Sequence, residues 1–302
     1  LGLNTPLQDL LLICLILMVP ADKILIAYWV DAFANQPFQG NPAVVVPQSD
    51  GLSDRQMQQI AREVNCSETA FVLQPTVPEA DFRLRWFTPT QEVDLCGHAT
   101  IATLHALAQE GRFNLQRGTT QLLYLETRSG ILKVTVDYKD SRPWIWLTLP
   151  DCTFDPISPT LIQQLTTILG YPEGMAFVEA VIDSHNRDVL IPIAHLSQLQ
   201  GLTPDMVRLR ELGQQQGWRG VCVYTQETAE PDNDAHSRFF APQSGINEDP
   251  VTGSVSGPLA LVLNQKSTSK DSKYWHFEQG DCLGRAGRLF IELQGDIPKL
   301  GG

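Results

Sequence analysis

The sequence predicts an α+β fold of two similar halves, each a curled β-sheet around one apolar helix. The first observation is a repeated pattern of an aromatic strand, a Phe-x-Pro tripeptide, an acidic loop, a glycine and a helix. The tripeptides Phe87-Thr88-Pro89 and Phe240-Ala241-Pro242 lie 153 positions apart (240 minus 87) in a chain of 302 residues. The second observation is that the helices after Gly97 and Gly253 are apolar nearly all round, which is typical of buried helices. The third is that strand patterns outnumber helix patterns along the chain.

The first half begins with two predicted strands and a helix. A capping box of Ser53 and Gln56 starts this helix, and Asn65 is its stop signal. Glu68 is therefore left at the junction where the chain turns from helix to strand. The predicted strands of this half are Ile24 to Val30, Asn41 to Val46, Thr69 to Leu73, Phe82 to Phe87, Leu122 to Thr127 and Ile131 to Tyr138.

The second half is expected to follow a linker at residues 139–143. Ser158 and Pro159 open a helix that ends just before Gly170. We therefore expect a first domain over residues 23–140, with about 287–302 as a candidate to complete it, and a second domain over 141–286. The predicted strands of the second half are Trp144 to Leu149, Phe177 to Ile182, Val189 to Ile193, Val221 to Thr225, Arg238 to Phe240, and a final hairpin of Trp275 to Gly280 with Gly287 to Leu293.

The composition is that of an ordinary globular protein, with 43% hydrophobic and 19% charged residues. A net charge of −12 would repel phosphate backbones, so we expect no nucleic-acid partner. The six cysteines form no C-x-x-C pair, which argues against a zinc knuckle and fits the reduced thiols of a cytoplasmic protein.

Residues 1–22 need a separate interpretation. The apolar stretch from Leu10 to Pro20 is shorter than the roughly 20 residues that a membrane span needs. It also lacks the preceding Lys or Arg of a signal peptide. We interpret residues 1–22 as an atypical extension, expect no membrane partner, and expect the fold proper to begin near Lys23.

The N-termini of the two apolar helices are candidate anion sites. The first N–H groups of a buried helix cannot reach bulk water, and the helix dipole favours negative charge there. Gly97 and Gly253 would let a ligand approach the backbone closely. Two such termini facing one another would bind a small carboxylate with little help from positive side chains. The alternative is that each glycine only permits a tight turn.

Four side chains beside these turns are candidates for chemistry. Glu68 lies between two apolar elements, where desolvation would disfavour its charged form and make it a better proton carrier near neutral pH. His98 follows the glycine of the first helix and could donate to a ligand oxygen. Asp249 and Ser254 flank the second turn and could bind a ligand or cap the helix. The alternatives are a solvated turn glutamate for Glu68 and a structural hydrogen bond for His98.

Cys96 precedes the first helix, where a thiol is a credible thiolate. A two-thiol racemase on a repeated scaffold would need a second cysteine around Gly253, and the sequence has none there. We therefore interpret Cys96 as a small buried residue.

Taken together, five spaced motifs resemble the phenazine-biosynthesis isomerase (PhzF-like) family, and the resemblance covers residues from about 24 to the end. The motifs in chain order are Asp31 to Phe33 with Pro37 to Pro42, Asn65 to Phe71, Cys96 to Thr100, Glu248 to Ser254, and Glu278 to Gly280 with Gly284 and Arg285.

The resemblance implies the diaminopimelate-epimerase-like fold, in which two pseudo-symmetric domains flank a cleft that holds the site. It implies that Glu68 is the general acid/base and that Gly97, His98, Asp249, Gly253 and Ser254 bind the substrate. It also implies a homodimer and a cofactor-free proton shift, because the founding member isomerises a dihydro-hydroxyanthranilate without a cofactor. Cys96 and the Ala99-Thr100 pair depart from the phenazine enzymes, so the resemblance does not name the substrate.

The sequence thus predicts an isomerase that acts on a small carboxylate. The alternatives are an amino-acid epimerase, which would need a second acid/base that the sequence does not offer, and a small-acid binding protein that has lost the chemistry.

Overall fold

A computed structural model of the chain describes residues 13–19, 23–138, 142–171, 179–266 and 273–302. The chain divides into two compact units. Unit 1 comprises residues 1–147 and Gly302, and unit 2 comprises residues 148–301.

Three predicted segments lie partly outside the described residues. Of the predicted strand Phe177 to Ile182, residues 177 and 178 are not described. Of the predicted extension, Ile13–Val19 is a strand, whereas residues 1–12 and 20–22 are not described. Of the predicted linker, residues 139–141 are not described. The domain ranges predicted from the sequence remain a prediction.

Unit 1 combines a sheet with two helices. Its described elements are β1 (Ile13–Val19), β2 (Lys23–Ala32), β3 (Asn41–Val46), α1 (Asp54–Val64), β4 (Glu68–Leu73), β5 (Phe82–Phe87), β6 (Glu92–Val93), α2 (Gly97–Gln109), β7 (Thr119–Thr127), β8 (Gly130–Tyr138) and β9 (Trp144–Thr148).

The sheet of unit 1 mixes parallel and antiparallel pairs. Strand β3 runs parallel to β4, with α1 as the crossover, and β5 runs parallel to β7, with α2 between them in sequence. The other pairs, β1–β2, β2–β3, β4–β5, β5–β6, β7–β8 and β8–β9, are antiparallel.

Helix α1 begins and ends where its sequence signals predict. Ser53 and Gln56 form the reciprocal capping box, and Asn65 closes the helix in the left-handed conformation with φ of 52°. The buried face carries Met57, Ile60 and Ala61. Because the helix stops there, Glu68 becomes the first residue of β4.

Helix α2 is buried on nearly every side, as its composition predicts, and it packs against β2, β3 and β4. Its threonines are compatible with that burial because they bond back to the helix. The Thr100 hydroxyl donates to the Cys96 carbonyl at 2.6 Å, and the Thr103 hydroxyl donates to the Ala99 carbonyl at 2.7 Å.

Unit 2 also combines a β-sheet with helices. Its described elements are β10 (Phe154–Pro156), α3 (Pro159–Ile168), β11 (Val181–Asp183), β12 (Asp188–Pro192), α4 (Leu196–Gln200), α5 (Met206–Gln216), β13 (Gly220–Thr225), β14 (Ala235–Ala241), β15 (Ile246–Asp249), α6 (Gly253–Lys266), β16 (Tyr274–Gln279), β17 (Gly287–Gln294) and β18 (Ile297–Gly301).

The strand pairing of unit 2 repeats that of unit 1. Strand β12 runs parallel to β13, β14 runs parallel to β16, and the neighbouring pairs are antiparallel. Helix α6 stands between β15 and β16 in sequence, as α2 stands between β6 and β7, and it packs against β17 and β18. The described residues thus confirm the predicted α+β fold with one buried apolar helix in each unit.

The helices α4 and α5 are absent from the sequence-based prediction. The signals for α5 were present, because Asp205 caps its N-terminus and Gly217 closes it in the left-handed conformation. None of the described helices combines the length and apolar composition that a membrane crossing requires.

Candidate active site

Glu68 is held in the buried interior of unit 1 at the start of β4. Its backbone pairs with Ala43 of the parallel strand β3, and the residue is only 9% exposed. One carboxylate oxygen, Oε2, has no hydrogen-bond partner in the described part of the chain. A buried carboxylate with an open lone pair is suited to accepting a proton from a ligand.

His98 lies beside Glu68 because it is the second residue of α2. Its Nε2 atom is 3.1 Å from Glu68 Oε2, a contact with the distance but not the alignment of a hydrogen bond. The same Nε2 atom is 3.4 Å from the Ser67 hydroxyl, which itself donates to the Pro42 carbonyl. Since both neighbours of Nε2 are acceptors, that nitrogen carries a proton.

The charges of this pair differ from the sequence-based expectation. Burial is the largest single influence and acts to raise the pKa of Glu68, but the charge of His98 and the polar contacts with His98 and Ser67 together outweigh it, so the pKa of Glu68 falls below its usual value of 4.5. Burial acts to lower the pKa of His98, whereas Cys96 and Glu68 favour its protonated form, so that pKa lies well above 6.5. The sequence suggested that desolvation would disfavour the charged form of Glu68. Desolvation does act in that direction, but the adjacent imidazole, which the sequence does not reveal, reverses the net direction of the pKa shift. Glu68 is a carboxylate base at neutral pH, and His98 is its cationic partner.

Cys96 is buried, as predicted, and it contacts the other side of the His98 ring. Its sulfur is 3.5 Å from His98 Nδ1, and burial raises the pKa of the thiol. Within the described part of the chain, the Cys96 side chain makes no capping hydrogen bond to α2.

Glu68, Cys96 and His98 are also close enough to be considered as metal ligands, since their donor atoms lie within 4.8 Å of one another. A histidine ligates one metal ion through one nitrogen, yet here Nδ1 faces the thiol and Nε2 faces the carboxylate. This geometry suits an imidazole packed between a thiol and a carboxylate better than it suits a common metal ion.

In unit 2, Asp249 is held at the turn before α6. Its Oδ2 atom accepts a 2.5 Å hydrogen bond from the Thr252 hydroxyl, and its carbonyl accepts one from the Gln279 amide at 2.8 Å. Gln279 is completely buried, and its side-chain oxygen also accepts a hydrogen bond from the Thr252 N–H. The Glu278 to Gly280 motif thereby fixes the turn that carries Asp249.

Ser254 is the second residue of α6, as His98 is of α2. Its hydroxyl accepts a 2.9 Å hydrogen bond from Arg219, and its carbonyl accepts one from the Asn186 amide. Arg219 in turn makes two hydrogen bonds to the buried Asp188 carboxylate. Arg219 and Asp188 were missing from the sequence-based prediction because they lie outside the recognised motifs. Ser67 lies inside the Asn65 to Phe71 motif, but its contact with His98 depends on packing that the sequence does not reveal.

The two glycines of the predicted anion sites begin their helices as expected. Gly97 is the first residue of α2, and Gly253 is the first residue of α6. Gly253 has a packing reason as well, because a Cβ there would lie 2.3 Å from Leu300 Cδ2. Its lack of a side chain therefore does not by itself indicate a ligand.

The ladder register shows which positions of the two units are equivalent. Thr69 pairs with Phe87 in unit 1, and Val221 pairs with Phe240 in unit 2, where the phenylalanines are those of the repeated tripeptide. One residue earlier, Glu68 therefore corresponds to Gly220. A Cβ on Gly220 would lie 2.2 Å from the Phe239 ring, so unit 2 has an aromatic ring where unit 1 has the carboxylate.

Comparisons with known proteins agree with this architecture. Residues 30–299 match the family model described as phenazine biosynthesis-like protein. An uncharacterised isomerase of Clostridium acetobutylicum is 36% identical over 277 residues, which cover 89% of this chain and 90% of that protein.

Solved structures show the same relationship. The PhzF-family phenazine biosynthesis protein of Bacillus anthracis superposes with a TM-score of 0.79 at 28% identity, covering 91% of this chain and 94% of the other. A hydroxyproline epimerase of Agrobacterium vitis superposes with a TM-score of 0.60 at 15% identity over 87% of this chain and 86% of the other. At that identity, the similarity shows the fold alone.

Proposed function

Because this chain belongs to the phenazine biosynthesis-like protein family, whose relatives include proteins named isomerases, we propose that it moves a proton on a small carboxylate substrate without a cofactor. The observation that carries the proposal is the buried Glu68–His98 pair at the start of α2. An ionised carboxylate with an open oxygen can remove a proton from carbon and return it to another carbon on the same face of the substrate.

The neighbouring residues have separate roles in this proposal. Glu68 is the general acid/base, and His98 donates a hydrogen bond from its ring to a substrate oxygen. Gly97 and Gly253 present helix N–H groups, and Ser254 and Asp249 bind and orient the substrate. A dihydro-hydroxyanthranilate-type compound is the substrate class we propose first. We further propose that the protein acts in the cytoplasm as a homodimer.

The asymmetry between the units favours a single acid/base over a two-base epimerase. The position equivalent to Glu68 is Gly220, where the Phe239 ring leaves no room for a side chain. The position before Gly253 is Thr252, whereas the position before Gly97 is Cys96, so the second thiol of a two-thiol racemase is missing. A proton shift carried out by Glu68 alone needs neither a carboxylate at residue 220 nor a thiol at residue 252.

Deuterium transfer from solvent tests the proposal. A dihydro-hydroxyanthranilate is incubated with the protein in D₂O, and the product is analysed by proton NMR. We expect an isomer with less than one full deuterium at the new C–H, because a single glutamate returns part of the original proton. The same experiment is repeated with a panel of small cyclic carboxylates. If none of them is isomerised or labelled with deuterium, the result would argue for the binding-protein alternative.

A further inference from the structure

Arg219 is a cation fixed at the first turn of α6. Its Nε and Nη2 atoms donate to the carboxylate of Asp188, and its Nη1 atom donates to the Ser254 hydroxyl at 2.9 Å. The Asp188 side chain is completely buried, whereas the Arg219 side chain is 34% exposed. One edge of the guanidinium is therefore anchored in the protein, and the rest remains accessible.

These hydrogen bonds leave donors available for a ligand. A guanidinium has five N–H groups, and three of them are used within the described part of the chain. Arginine cannot accept a hydrogen bond, so the Ser254 oxygen must be the acceptor. The Ser254 hydroxyl proton then remains free to donate, next to the N–H groups of the first turn of α6.

The positive charge of Arg219 is stable in this setting. Burial acts to lower its pKa, but the adjacent Asp188 and the nearby Asp183 and Asp249 raise it above its usual value. Asp183 does not compete for the free donors of Arg219, because its carboxylate accepts the N–H groups of His185, Asn186 and Asp188 at 2.6–3.0 Å.

Unit 1 has a contact between equivalent positions, but the residue types differ. The residue before Glu68 is Ser67, which contacts His98 at the second position of α2. The residue before Gly220 is Arg219, which contacts Ser254 at the second position of α6. The repeat therefore places a proton carrier at the strand start of unit 1 and a cation beside the equivalent position of unit 2.

From this arrangement we propose that Arg219 recognises the carboxylate group of the substrate, with Ser254 as a second donor and Asp188 as the residue that positions the guanidinium. The inference rests on the proposed function, and it departs from the expectation that helix N-termini would bind the acid with little help from positive side chains. Two N–H donors and a hydroxyl match the two acceptor oxygens of a planar carboxylate better than the one oxygen and the NH₂ group of a neutral amide.

A matched pair of ligands tests this inference. Anthranilate and anthranilamide have the same size and differ in the charge of one group, and their affinities are measured by isothermal titration calorimetry. We expect the wild-type protein to bind anthranilate at least tenfold more tightly than anthranilamide. An Arg219→Gln variant should lose that preference, since charged hydrogen bonds of this kind are worth roughly ten- to a hundredfold in affinity.

Removing the arginine alone would leave Asp188 buried without its partner. The decisive variant is therefore the double substitution Asp188→Asn with Arg219→Gln, which removes both charges together. Arg208→Gln, on the exposed face of α5, controls for the change in net charge of the single variant Arg219→Gln and should keep the preference. A folded double variant that still prefers anthranilate, or a wild-type protein without the preference, overturns the inference.

The outcome is separable from that of the proposed function. Glu68→Gln should keep the preference for the acid while losing proton exchange. A protein that prefers anthranilate through Arg219 but exchanges no proton with any tested carboxylate would refute the isomerase and leave the carboxylate site standing.

Discussion

The Oε2 atom of Glu68 lies 3.1 Å from Nε2 of His98, and both side chains are buried. In this pair the imidazole favours the ionised form of the carboxylate, whereas burial disfavours it. Glu68 can thus accept a proton at neutral pH. His98, which favours this ionised form, can itself donate a hydrogen bond.

Replacing Glu68 by glutamine tests its role as the proton carrier. The amide keeps the shape of the side chain and cannot exchange a proton. We expect ligand binding close to that of the wild-type protein and a rate lower by on the order of 10²–10⁴-fold. Steady-state kinetics on any substrate that turns over measures both quantities.

Two controls sharpen this prediction. Glu63→Gln, on the exposed face of α1, should leave kcat and KM unchanged. Asp249→Asn should weaken binding as well as rate, because Asp249 orients the ligand and holds the Thr252 hydroxyl. Near-normal turnover by the Glu68→Gln variant would show that another residue is the base.

The His98–Glu68 pair predicts a shift in pH dependence. Since the pKa of Glu68 is lowered below 4.5, the acidic limb of kcat/KM should lie below that value in the wild-type protein. In His98→Asn the cation is lost and burial remains, so the pKa of Glu68 should rise and the acidic limb should move to higher pH. A pH–rate profile of the two proteins measures the shift. If the limb stays in place, or moves to lower pH, the ion pair does not control the base.

Cys96 is expected to be dispensable for chemistry. The thiol is buried and burial raises its pKa, so it is a poor nucleophile and is shielded from reagents. Cys96→Ala should keep most of the activity, and iodoacetamide should not inactivate the wild-type protein. Cys282, an exposed thiol, is the expected site of labelling, with Cys282→Ser as the control. A folded but inactive Cys96→Ala variant would revive the thiol mechanism.

Glu278 is predicted to make stability depend on acidic pH. Its buried carboxylate accepts four hydrogen bonds of 2.7–2.8 Å, from the N–H groups of Ala229 and Glu230, the Asn233 amide and the His236 ring. Burial acts to raise its pKa, but these bonds lower it from 4.5 to about 2. A folded-state pKa below the unfolded value contributes stability above pH 4.5, about 3 kcal/mol here, which is lost as pH falls from 4.5 towards 2.

Urea unfolding at pH 7 and pH 3 measures this contribution. Glu278→Gln should lower the free energy of unfolding at pH 7 and flatten its change between the two pH values. The exposed Asp296→Asn substitution should do neither. An unchanged pH dependence in Glu278→Gln would assign the acid sensitivity to other carboxylates.

The repeat made most of the fold predictable from the sequence. Phe87 and Phe240 marked equivalent strands, and local signals such as Ser53, Gln56 and Asn65 defined α1 because capping depends on a few adjacent residues. Helix α5 was missed even though Asp205 and Gly217 mark its ends.

The sequence predicted those residues of the candidate site that lie within a motif. It did not predict how these residues contact one another. Glu68 and His98 are 30 positions apart (98 minus 68), so their contact depends on the packing of β4 against α2. The direction of the Glu68 pKa follows from that contact, which no local pattern encodes. Arg219 and Asp188 lie outside every recognised motif, and only the ladder register reveals that Arg219 corresponds to Ser67.

The ring of Phe239 against Gly220 also constrains how this chain could evolve. A mutation that placed an acidic side chain at residue 220 would meet the ring at 2.2 Å, so the ring would first have to shrink or move. Loss of the ring would in turn remove the surface over which Arg219 lies, at 5.5 Å from the ring centroid. An acidic side chain at residue 220 therefore requires a compensating change at Phe239, and that change would in turn alter the packing of Arg219.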